Sequence, residues 1–334
     1  MASRALQRWD VQAVSLEAIK IRENAVFRVN LADGGRVALR VHRRGYHSDA
    51  SLASEFAWMR GLKEGGIEVP EAIPSRAGHD FERVEIDGLP GARQVDLFKW
   101  IEGRQLGSSE AGLEGPVEVI DAQYETIGAI MARVHNHAGR WVRPAGFTRH
   151  AWDLEGLLGD QPLWGRFWEL PALSDAQRGL LQRTRTITRQ VLANYGTGPD
   201  RFGLIHADLC PENVLVDGNA VRLIDFDDAG FGWHLFDIAT SLYFVTPDVK
   251  YPVARDALLR GYRSVRTLGE DAVRLLPYFL AARATTYLGW VHTRPGTQTA
   301  LDLTPYLVDL ACTTAEECLK AADRDDVAPA LADR

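Results

Sequence analysis

One stretch of the chain, "LIHADLCPENVLVDGNAVRLIDFDD" at residues 204–228, restricts the fold more than any other. Short apolar runs with β-strand character alternate in it with polar segments that contain His206, Asp208, Asn213 and Asp225. An Asp-Gly-Asn turn joins two of the apolar runs, which is typical of a β-hairpin. The pattern therefore predicts short hydrophobic strands that hold two polar loops side by side.

The polar loops carry groups that suit metal and phosphate chemistry. Asp208 and Asn213 lie on the first loop, and Asp225, with Asp227 as a further candidate, lies on the second. Carboxylate and amide oxygens are ligands for Mg²⁺, which proteins usually bind through one or two side chains together with substrate phosphates. A carboxylate that the metal does not need can orient or deprotonate an attacking hydroxyl. Asp and Asn are also common turn residues, and this plainer interpretation applies to the Asp-Gly-Asn turn.

Length and charge limit the class of protein. The chain has 334 residues, enough for two domains, and its net charge of −7 at pH 7 argues against a nucleic-acid-binding protein, since such proteins have basic surfaces. We find no N-terminal signal peptide and no run of about 20 apolar residues, so no membrane segment is expected. Three cysteines without a Cys-x-x-Cys pair favour a reducing, cytoplasmic location.

The order of predicted elements indicates an α+β protein. Alternating apolar and polar residues around Asp-Gly-Gly predict a β-hairpin over residues 25–41, and a capped helical pattern follows at 48–66. "ERVEID" and "ARQVDLFKWIEG" predict another strand pair. From about residue 117 the pattern becomes mainly helical, in "EVIDAQYETIGAIMARVHNHAG" and over 175–195 and 252–322.

The boundary between two predicted lobes lies in "GRQLGSSEAGLEGP" at residues 103–116, which is rich in Gly and Ser. In this interpretation residues 1–102 form a small β-rich N-lobe, and residues 103–334 form a larger, mainly helical C-lobe. The stretch with the two polar loops belongs to the C-lobe.

The segments "HADLCPENVLV" and "LIDFDDA" resemble the catalytic and metal loops of the aminoglycoside phosphotransferase/choline kinase family. The order and spacing of other segments match that family from about residue 20 to about residue 245, and the nearest branch is that of bacterial homoserine-kinase-like and stress-response-kinase-like proteins. The family shares the protein-kinase-like fold, so the resemblance implies a bilobal kinase-like architecture. It also implies ATP and Mg²⁺ as cofactors and a hydroxyl group as the phosphate acceptor.

The resemblance gives a role to each matching residue. Asp208 matches the catalytic aspartate, which accepts or orients the proton of the acceptor hydroxyl. Asn213 and Asp225 match the two metal ligands. His206 is interpreted as a residue that supports the loop through backbone hydrogen bonds. Asp237, in "HLFDIAT", resembles a helix aspartate of the family that supports the same loop. The alternative interpretation is that Asp237 is a carboxylate at a helix N-terminus without a role in the loop.

Two departures from the family pattern lie in the first loop. The family usually has His-Gly-Asp, and Ala207 takes the place of the glycine. A methyl group is a small change there unless the backbone needs a positive φ. Cys210 and Glu212 replace the usual His and Gly before Asn213, and we interpret Cys210 as a packing residue rather than a nucleophile.

The nucleotide-binding residues are less clearly marked, because no Gly-x-Gly-x-x-Gly loop is present. Arg40, in "VALRVHR", stands where the family has a lysine. A guanidinium can bind two phosphate oxygens at once, so Arg40 is a candidate phosphate contact. The alternative interpretation is that Arg40 is a solvent-facing strand residue. Glu55, in the predicted helix, is the expected ion-pair partner of Arg40. Other candidates for nucleotide contact come from the first hairpin and the predicted hinge: Glu23, Asn24, Ala25, Phe98, Trp100 and Ile101.

The acceptor site is the part that the sequence specifies least. Aromatic residues in "WDLEGLLGDQPLWGRFWEL" can form a cage for a quaternary amine or an ordinary packed cluster: Trp152, Trp164, Phe167 and Trp168. Further pocket candidates are Tyr287, Trp290 and His292. His135 and His137 lie two residues apart on a predicted helix and point to different faces, so they are not expected to share a metal ion.

The predicted function is ATP- and Mg²⁺-dependent transfer of the γ-phosphate to a hydroxyl of a small molecule, such as an amino alcohol, a homoserine-like or an aminoglycoside-like compound. Two alternatives stay open. One is a Ser/Thr protein kinase of the bacterial stress-response type, with a protein as its partner. The other is a pseudokinase that binds nucleotide without turnover, an interpretation that rests on Arg40 and on the altered first loop.

Overall fold

The computed structural model describes residues 2–21, 24–85, 88, 91–108 and 112–324. The chain divides into two compact units. The first unit comprises Met1–Arg104, Val142–Arg149 and Arg222–Asp227, and the second comprises Gln105–Trp141, His150–Val221 and Asp228–Arg334. The first unit thus takes in two short segments from later in the chain, one of which carries Asp225. Glu23, a predicted phosphate-loop residue, lies outside the described residues.

The first unit is built around a five-stranded antiparallel sheet with the strand order β1-β2-β3-β5-β4. These strands are β1 (Ala13–Ile21), β2 (Ala25–Leu31), β3 (Arg36–Val41), β4 (Phe81–Glu85) and β5 (Ala92–Lys99). The predicted hairpin is confirmed, because β2 and β3 pair around a turn in which Gly34 has a φ of 86°. The predicted second strand pair is confirmed in β4 and β5. A short helix, α1 (Ala2–Ala5), precedes the sheet.

Helix α2 (Asp49–Glu64) follows β3 and confirms the predicted helix. Ser48 caps its N-terminus by accepting a hydrogen bond from the N–H of Ser51. The apolar residues that recur at helical spacing in this segment are all buried: Leu52, Phe56, Met59 and Leu62. The ring of Phe56 stacks on that of Phe98 in β5, with 5.8 Å between the ring centres. Glu55, which is next to Phe56 in the helix, is buried as well.

The second unit is mainly helical, as predicted. The remaining helices are α3 (Val117–Ala138), α4 (Leu154–Leu158), α5 (Asp175–Tyr195), α6 (His234–Tyr243), α7 (Tyr251–Arg263), α8 (Glu270–Val273), α9 (Leu276–His292) and α10 (Gln298–Arg324). In the ranges that the structure describes, none of the helices is both long enough and apolar enough to cross a membrane.

Short strands alternate with these helices along the chain: β6 (Arg104–Gln105), β7 (Ala151–Trp152), β8 (Phe202–Ile205), β9 (Val214–Asp217), β10 (Ala220–Leu223) and β11 (Gly230–Trp233). They form two three-stranded sheets, in the orders β10-β9-β6 and β7-β11-β8. The predicted strand, polar loop and hairpin are confirmed in β8, β9 and β10, and Gly218 in the hairpin turn has a φ of 56°.

Helices α3 and α7 approach each other at two glycines. A Cβ atom on Gly128 of α3 would lie 2.0 Å from a backbone carbonyl oxygen of α7, and one on Gly261 of α7 would lie 1.8 Å from a backbone carbonyl oxygen of α3. Protein interiors are too closely packed to absorb such overlaps, so a side chain at either position requires the helices to separate. The two glycines therefore set the distance between α3 and α7, which carry His135 and Tyr262.

We expect Gly128→Ala to lower the free energy of unfolding by about 3 kcal/mol or more, because overpacking usually costs about 1–3 kcal/mol and this contact is with rigid backbone. Gly179→Ala, inside α5, is the matched control, because a Cβ there has no neighbour within 4 Å. The control should raise stability by up to about 1 kcal/mol through helix propensity. Urea unfolding followed by circular dichroism measures both changes, and equal effects would contradict the close approach.

Candidate active site

Asp237, in the first turn of α6, fixes the backbone of the loop that follows β8. Its Oδ2 accepts a hydrogen bond from the N–H of His206 at 3.0 Å, and its Oδ1 accepts one from the N–H of Ala207 at 2.6 Å. The ring Nδ1 of His206 in turn accepts the N–H of Asp208 at 3.3 Å. The interpretations of Asp237 and His206 as supports of this loop are confirmed.

Ala207 has a left-handed backbone, with a φ of 65°. The condition under which alanine is more than a small change at this position is therefore met, because glycine adopts a positive φ freely and alanine does not. Hydrogen bonds on both sides of the residue hold it in this conformation. Asp237 accepts its N–H, and Nη1 of Arg283 donates to its carbonyl oxygen at 3.1 Å. Backbone strain that is retained in this way is common at functional sites.

Asp237 is itself supported by a buried histidine, His135 of α3. His135 Nε2 lies 2.9 Å from Asp237 Oδ2, and His135 Nδ1 lies 2.9 Å from the hydroxyl oxygen of Tyr262 in α7. Burial lowers the pKa of His135 to about 3, so the ring is neutral, donates to Asp237 and accepts from Tyr262. Burial also raises the pKa of Asp237. His137 is half-buried beside Trp141, away from this cluster, as expected for a different helix face.

Asn213 is hydrogen-bonded twice to Asp208. The amide nitrogen of Asn213 lies 2.8 Å from the carbonyl oxygen of Asp208 and 2.7 Å from its Oδ2. Because both bonds use the nitrogen, the amide oxygen is the atom that Asn213 can offer to a cation. The Asp208 side chain is 18% exposed and Asn213 is buried. The first loop thus brings its two candidate residues into direct contact.

Arg283, in the middle of α9, contacts Asp208 although no motif in the sequence includes it. Its Nη2 lies 2.5 Å from Asp208 Oδ1 and 2.6 Å from the hydroxyl oxygen of Tyr287, which lies 3.4 Å from the same Oδ1. The Arg283 side chain is fully buried. One sequence signal could have found it: Arg283 is the only Asp, Glu, Lys or Arg in α9, and fully buried charges are rare unless they are paired.

Aromatic rings surround the guanidinium of Arg283. Its Cζ lies 4.2 Å from the ring centre of Tyr287, 5.0 Å from that of Trp164 and 5.6 Å from that of Phe236. An aromatic cage is therefore present, but it contains a cation of the chain itself. The other rings considered for a cage around an external amine pack as core or core-edge residues: Trp152, Phe167 and Trp168.

In the first unit, Arg40 of β3 pairs with Glu55 of α2 as predicted, with 2.8 Å between Nη2 and Oε1. The alternative of a solvent-facing residue is wrong, because the Arg40 side chain is only 7% exposed. Asp96 lies directly opposite Arg40 on β5 and accepts hydrogen bonds from Nε at 3.1 Å and from Nη2 at 2.9 Å. The remaining nitrogen, Nη1, lies 3.6 Å from Asp225 Oδ1.

Asp96 is a residue that the sequence reasoning missed. Burial opposes its ionisation, but Arg40 and His42 outweigh burial and hold the pKa of Asp96 below its usual value. The available signal was a lone carboxylate inside the apolar run "VDLF", on a strand predicted to lie in the same sheet as Arg40. Opposite charges in facing positions of neighbouring strands form cross-strand pairs, but the register had to be known to find this one.

The two aspartates of "DFD" have different surroundings. Asp227 is 5% exposed, accepts a hydrogen bond from Asn24 Nδ2 at 3.1 Å, and lies 3.4 Å from ring nitrogens of His42 and His47. Burial opposes its ionisation, but the two histidines hold the pKa of Asp227 well below its usual range. Asp225 is 39% exposed and has a φ of 64°. Asp225 is therefore the more accessible carboxylate of the two for a cation.

His42, directly after β3, lies between two buried carboxylates. Its Nε2 is 2.7 Å from Asp96 Oδ2, and its Nδ1 is 3.4 Å from Asp227 Oδ1. Burial and the charge of Arg40 act to lower the pKa of His42, but the two carboxylates outweigh both and raise it to about 9. His42 is therefore a cation at neutral pH and balances part of the negative charge around Arg40.

The remaining candidates have the following positions. Both polar atoms of the Asn24 side chain are hydrogen-bonded within the first unit. Phe98 is buried in β5, and Trp100 and Ile101 follow directly after this strand. The roles of these residues in nucleotide binding stay predictions. The last turns of α9 contain the two other pocket candidates, Trp290 and His292.

Replacing Ala207 by glycine should relieve the backbone strain in the loop after β8. We expect Ala207→Gly to raise the free energy of unfolding by about 1 kcal/mol. Ala239→Gly, a buried helical position in α6, is the control and should lower stability by about 1 kcal/mol or more. Chemical denaturation of both variants gives the two changes. A loss of stability in Ala207→Gly would show that the left-handed conformation carries no strain.

His42 makes the stability of the protein depend on pH on the alkaline side. Its pKa rises from 6.5 to about 9 on folding, so the protonated ring stabilises the fold fully below about pH 6.5, and this contribution is lost as the pH rises through about 9. The difference corresponds to roughly 3 kcal/mol. We expect urea midpoints to fall between pH 7 and 9, and His42→Gln to flatten this slope. His79→Gln, whose side chain is 65% exposed, should leave the slope intact, and a flat profile for the parent protein would contradict the assignment.

Comparison with known sequences identifies the family. The family model described as "Phosphotransferase enzyme family" (APH) matches residues 15–276. A homoserine kinase of Methylorubrum populi is 29% identical to this chain over 287 residues, which cover 82% of this chain and 80% of the relative. The match to the family model includes both polar loops.

Solved structures of kinases are similar over almost the whole chain. A microcompartment-associated aminopropanol kinase has a TM-score of 0.83 and 32% identity, and the match covers 96% of this chain and 97% of the other. The amicoumacin kinase hAmiN, in complex with AMP-PNP, Ca²⁺ and Ami, has a TM-score of 0.75 and 20% identity, and the match covers 95% of this chain and 92% of the other. The chain therefore has the α+β protein-kinase-like fold and belongs to the phosphotransferase enzyme family, as a kinase that acts on hydroxyl groups.

Proposed function

We propose that the protein transfers the γ-phosphate of ATP to a hydroxyl of a small amino alcohol, with Mg²⁺ as the metal cofactor. The observation that carries this proposal is the Asp208 carboxylate, which is fixed at one oxygen by Asn213 and at the other by Arg283. A carboxylate fixed in this way can accept the hydrogen bond of an acceptor hydroxyl and orient its oxygen towards the γ-phosphorus. The acceptor class is inferred from relatives named as kinases of homoserine, aminopropanol and amicoumacin.

The transfer forms a bond between the acceptor oxygen and the γ-phosphorus and breaks the bond between that phosphorus and the bridging oxygen, which leaves with ADP. The hydroxyl proton passes to Asp208 and from there to water. Phosphoryl transfer depends on positioning and on charge stabilisation rather than on covalent catalysis. Asp208 supplies the positioning of the acceptor in this scheme.

Asn213 and Asp225 are suited to a divalent cation. Asn213 offers its amide oxygen because its nitrogen is bonded to Asp208, and Asp225 offers a carboxylate that is 39% exposed. Both are hard oxygen donors of the kind that Mg²⁺ prefers. When bound, the ion neutralises charge that develops on the phosphates. The Ca²⁺ named in the amicoumacin kinase complex supports a divalent-cation site.

Arg40 is proposed to contact the phosphates through Nη1. Its Nε and Nη2 are already bonded to Asp96 and Glu55, so Nη1 is the group directed towards the segment that carries Asp225. The other proposed nucleotide contacts are the segment at Asn24 and the residues around the end of β5: Phe98, Trp100 and Ile101. The AMP-PNP named in the amicoumacin kinase complex supports ATP as the donor.

The pseudokinase alternative rested on Arg40 and on the altered first loop. Arg40 forms the expected ion pair with the helix glutamate Glu55, and Ala207 has a positive φ, which glycine adopts freely. A protein acceptor has no support from the relatives described above, since each is named for a small molecule. A small-molecule kinase is therefore the function that we propose.

The test measures phosphate transfer from γ-labelled ATP, with and without Mg²⁺, to homoserine, aminopropanol, amicoumacin, an aminoglycoside, choline, simple sugars and a Ser/Thr protein. We expect transfer to an amino alcohol, and a loss of turnover of about 10²-fold or more in Asp208→Asn with ATP binding retained. Asp217→Asn, the same change in the exposed hairpin turn, is the control and should keep full activity. Normal turnover of Asp208→Asn would refute the role of Asp208. Magnesium-dependent ATP binding without transfer to any acceptor would favour the pseudokinase.

A further inference from the structure

We propose that the first unit contains a binding site for a phosphate-type oxyanion, in a pocket lined by four arginines: Arg43, Arg44, Arg83 and Arg93. The ligand is inorganic phosphate or the phosphoryl group of a small phosphate ester. This site goes beyond the proposed kinase activity and does not depend on it. All of the contacts that carry the inference lie within the first unit.

The arginines of this pocket come from three segments that meet at one end of the five-stranded sheet. Arg43 and Arg44 follow β3, Arg83 lies in β4, and Arg93 lies near the start of β5. The cavity between them has a volume of about 270 Å³. Pockets for drug-sized ligands usually have about 300–1,000 Å³, so this cavity suits a small anion better than a whole nucleotide.

Two of the arginines carry charges that the fold does not compensate. Within the part of the chain that the structure describes, neither the Arg44 nor the Arg93 guanidinium has an ion pair or a hydrogen bond. Arg44 reaches across to the start of β5, where a Cβ atom on Gly91 would lie 3.4 Å from its Cζ. Arg93 is half-buried. Like charges in one pocket repel each other, so a bound anion relieves repulsion that the empty pocket retains.

The other two arginines leave the excess of positive charge in place. Nε and Nη2 of Arg83 each lie 2.8 Å from a carboxylate oxygen of Asp49, which also accepts a hydrogen bond from Gln94 Nε2 at 2.6 Å. Asp49 thus neutralises Arg83 alone. Arg43 stacks on Tyr46, with 4.2 Å between its Cζ and the ring centre, and this contact orients the guanidinium without cancelling its charge.

The arrangement of donors favours phosphate over a carboxylate. A guanidinium presents N–H groups in a fixed plane that match pairs of phosphate oxygens. A carboxylate has two oxygens in one plane, whereas a phosphoryl group has three acceptor oxygens that point in different directions. Because the arginines approach from the loop after β3, from β4 and from β5, a tetrahedral anion can use donors from several of them at once.

The pocket is connected to the proposed ATP and metal segments but does not use their contacts. The backbone N–H of Arg43 donates to Asn24 Oδ1 at 3.1 Å, and His47, which lines the pocket, has its Nε2 2.9 Å from the carbonyl oxygen of Asp227. Among the described residues that line the pocket, none is a proposed nucleotide contact such as Asn24 or Arg40. The site is therefore compatible with bound ATP.

The test is a calorimetric titration of the whole protein with inorganic phosphate and, separately, with O-phosphoethanolamine, at constant ionic strength and with chloride as the reference anion. We expect Arg44→Gln and Arg93→Gln each to weaken phosphate binding by about 5- to 20-fold. Arg60→Gln, in α2 of the same unit and 56% exposed, is the matched control and should keep the affinity within about two-fold.

The two probes distinguish the sources of the phosphoryl group. Tighter binding of the ester assigns the site to phosphorylated small molecules, and tighter binding of inorganic phosphate assigns it to the free ion. Equal binding by the parent protein and both glutamine variants would overturn the proposal. Binding of chloride with the same strength, or no binding at about 10 mM phosphate, would overturn it as well.

Thermal unfolding tests the same site independently. Because neither guanidinium has a partner in the described fold, Arg44→Gln and Arg93→Gln should unfold at the midpoint of the parent protein when phosphate is absent. Phosphate should raise the midpoint of the parent protein and of Arg60→Gln more than that of the two variants. Arg93→Lys keeps the charge without the planar fork and should recover only part of the shift. Equal shifts in all of these proteins would place the anion elsewhere.

A phosphate titration in the presence of Mg²⁺ and saturating AMP-PNP separates this site from the proposed ATP site. We expect the affinity for phosphate to stay within about three-fold of that of the free protein, since the two sites share no contact residue. Loss of phosphate binding would show that the arginines serve the phosphates of ATP, which would overturn the proposal. None of these measurements requires turnover, so a failure to find any acceptor would count against the proposed function alone.

Discussion

The geometry of the loop after β8 depends on one buried carboxylate, that of Asp237, which accepts the N–H groups of His206 and Ala207. These two bonds hold Ala207 at a φ that alanine avoids, and the next residue is Asp208. Asp237 in turn needs the neutral ring of His135, and His135 needs the hydroxyl of Tyr262. The position of Asp208 therefore depends on how closely α3 and α7 approach, which is set by two glycines remote from any motif.

Each unit uses a buried arginine to hold a motif aspartate. In the first unit Arg40 lies between Glu55 and Asp96 and faces Asp225, and in the second unit Arg283 pairs with Asp208. A guanidinium has five donors in a fixed plane, so it can bind several acceptors at once where an ammonium group acts as a point charge. Asp96, opposite Arg40, gives the additional donors of this guanidinium a partner.

The sequence was sufficient for features that depend on neighbours along the chain. The polar loops, the hairpin around Gly34 and the α2 helix follow from spacing and turn chemistry, and the pairing of Arg40 with Glu55 follows from the family resemblance. Features that depend on register or on remote segments were out of reach. Asp96 faces Arg40 only because β3 and β5 pair in one register, and Arg283 reaches Asp208 across 75 positions of the chain. Among the four rings that the sequence suggested for an aromatic cage, Trp164 faces Arg283, whereas Phe236, which also faces Arg283, was not suggested.

Two buried histidines show that burial alone does not decide charge in this protein. His42 and His135 are both almost completely inaccessible to water, and burial disfavours the protonated form of each. His42 lies between two carboxylates that balance Arg40, so it is held as a cation. His135 faces a single carboxylate, that of Asp237, which already accepts two backbone N–H groups. A neutral His135 ring can donate a further hydrogen bond to this carboxylate. The support that His135 gives to the loop after β8 is therefore uncharged, whereas Arg283 contributes a charged contact to the same loop through Asp208.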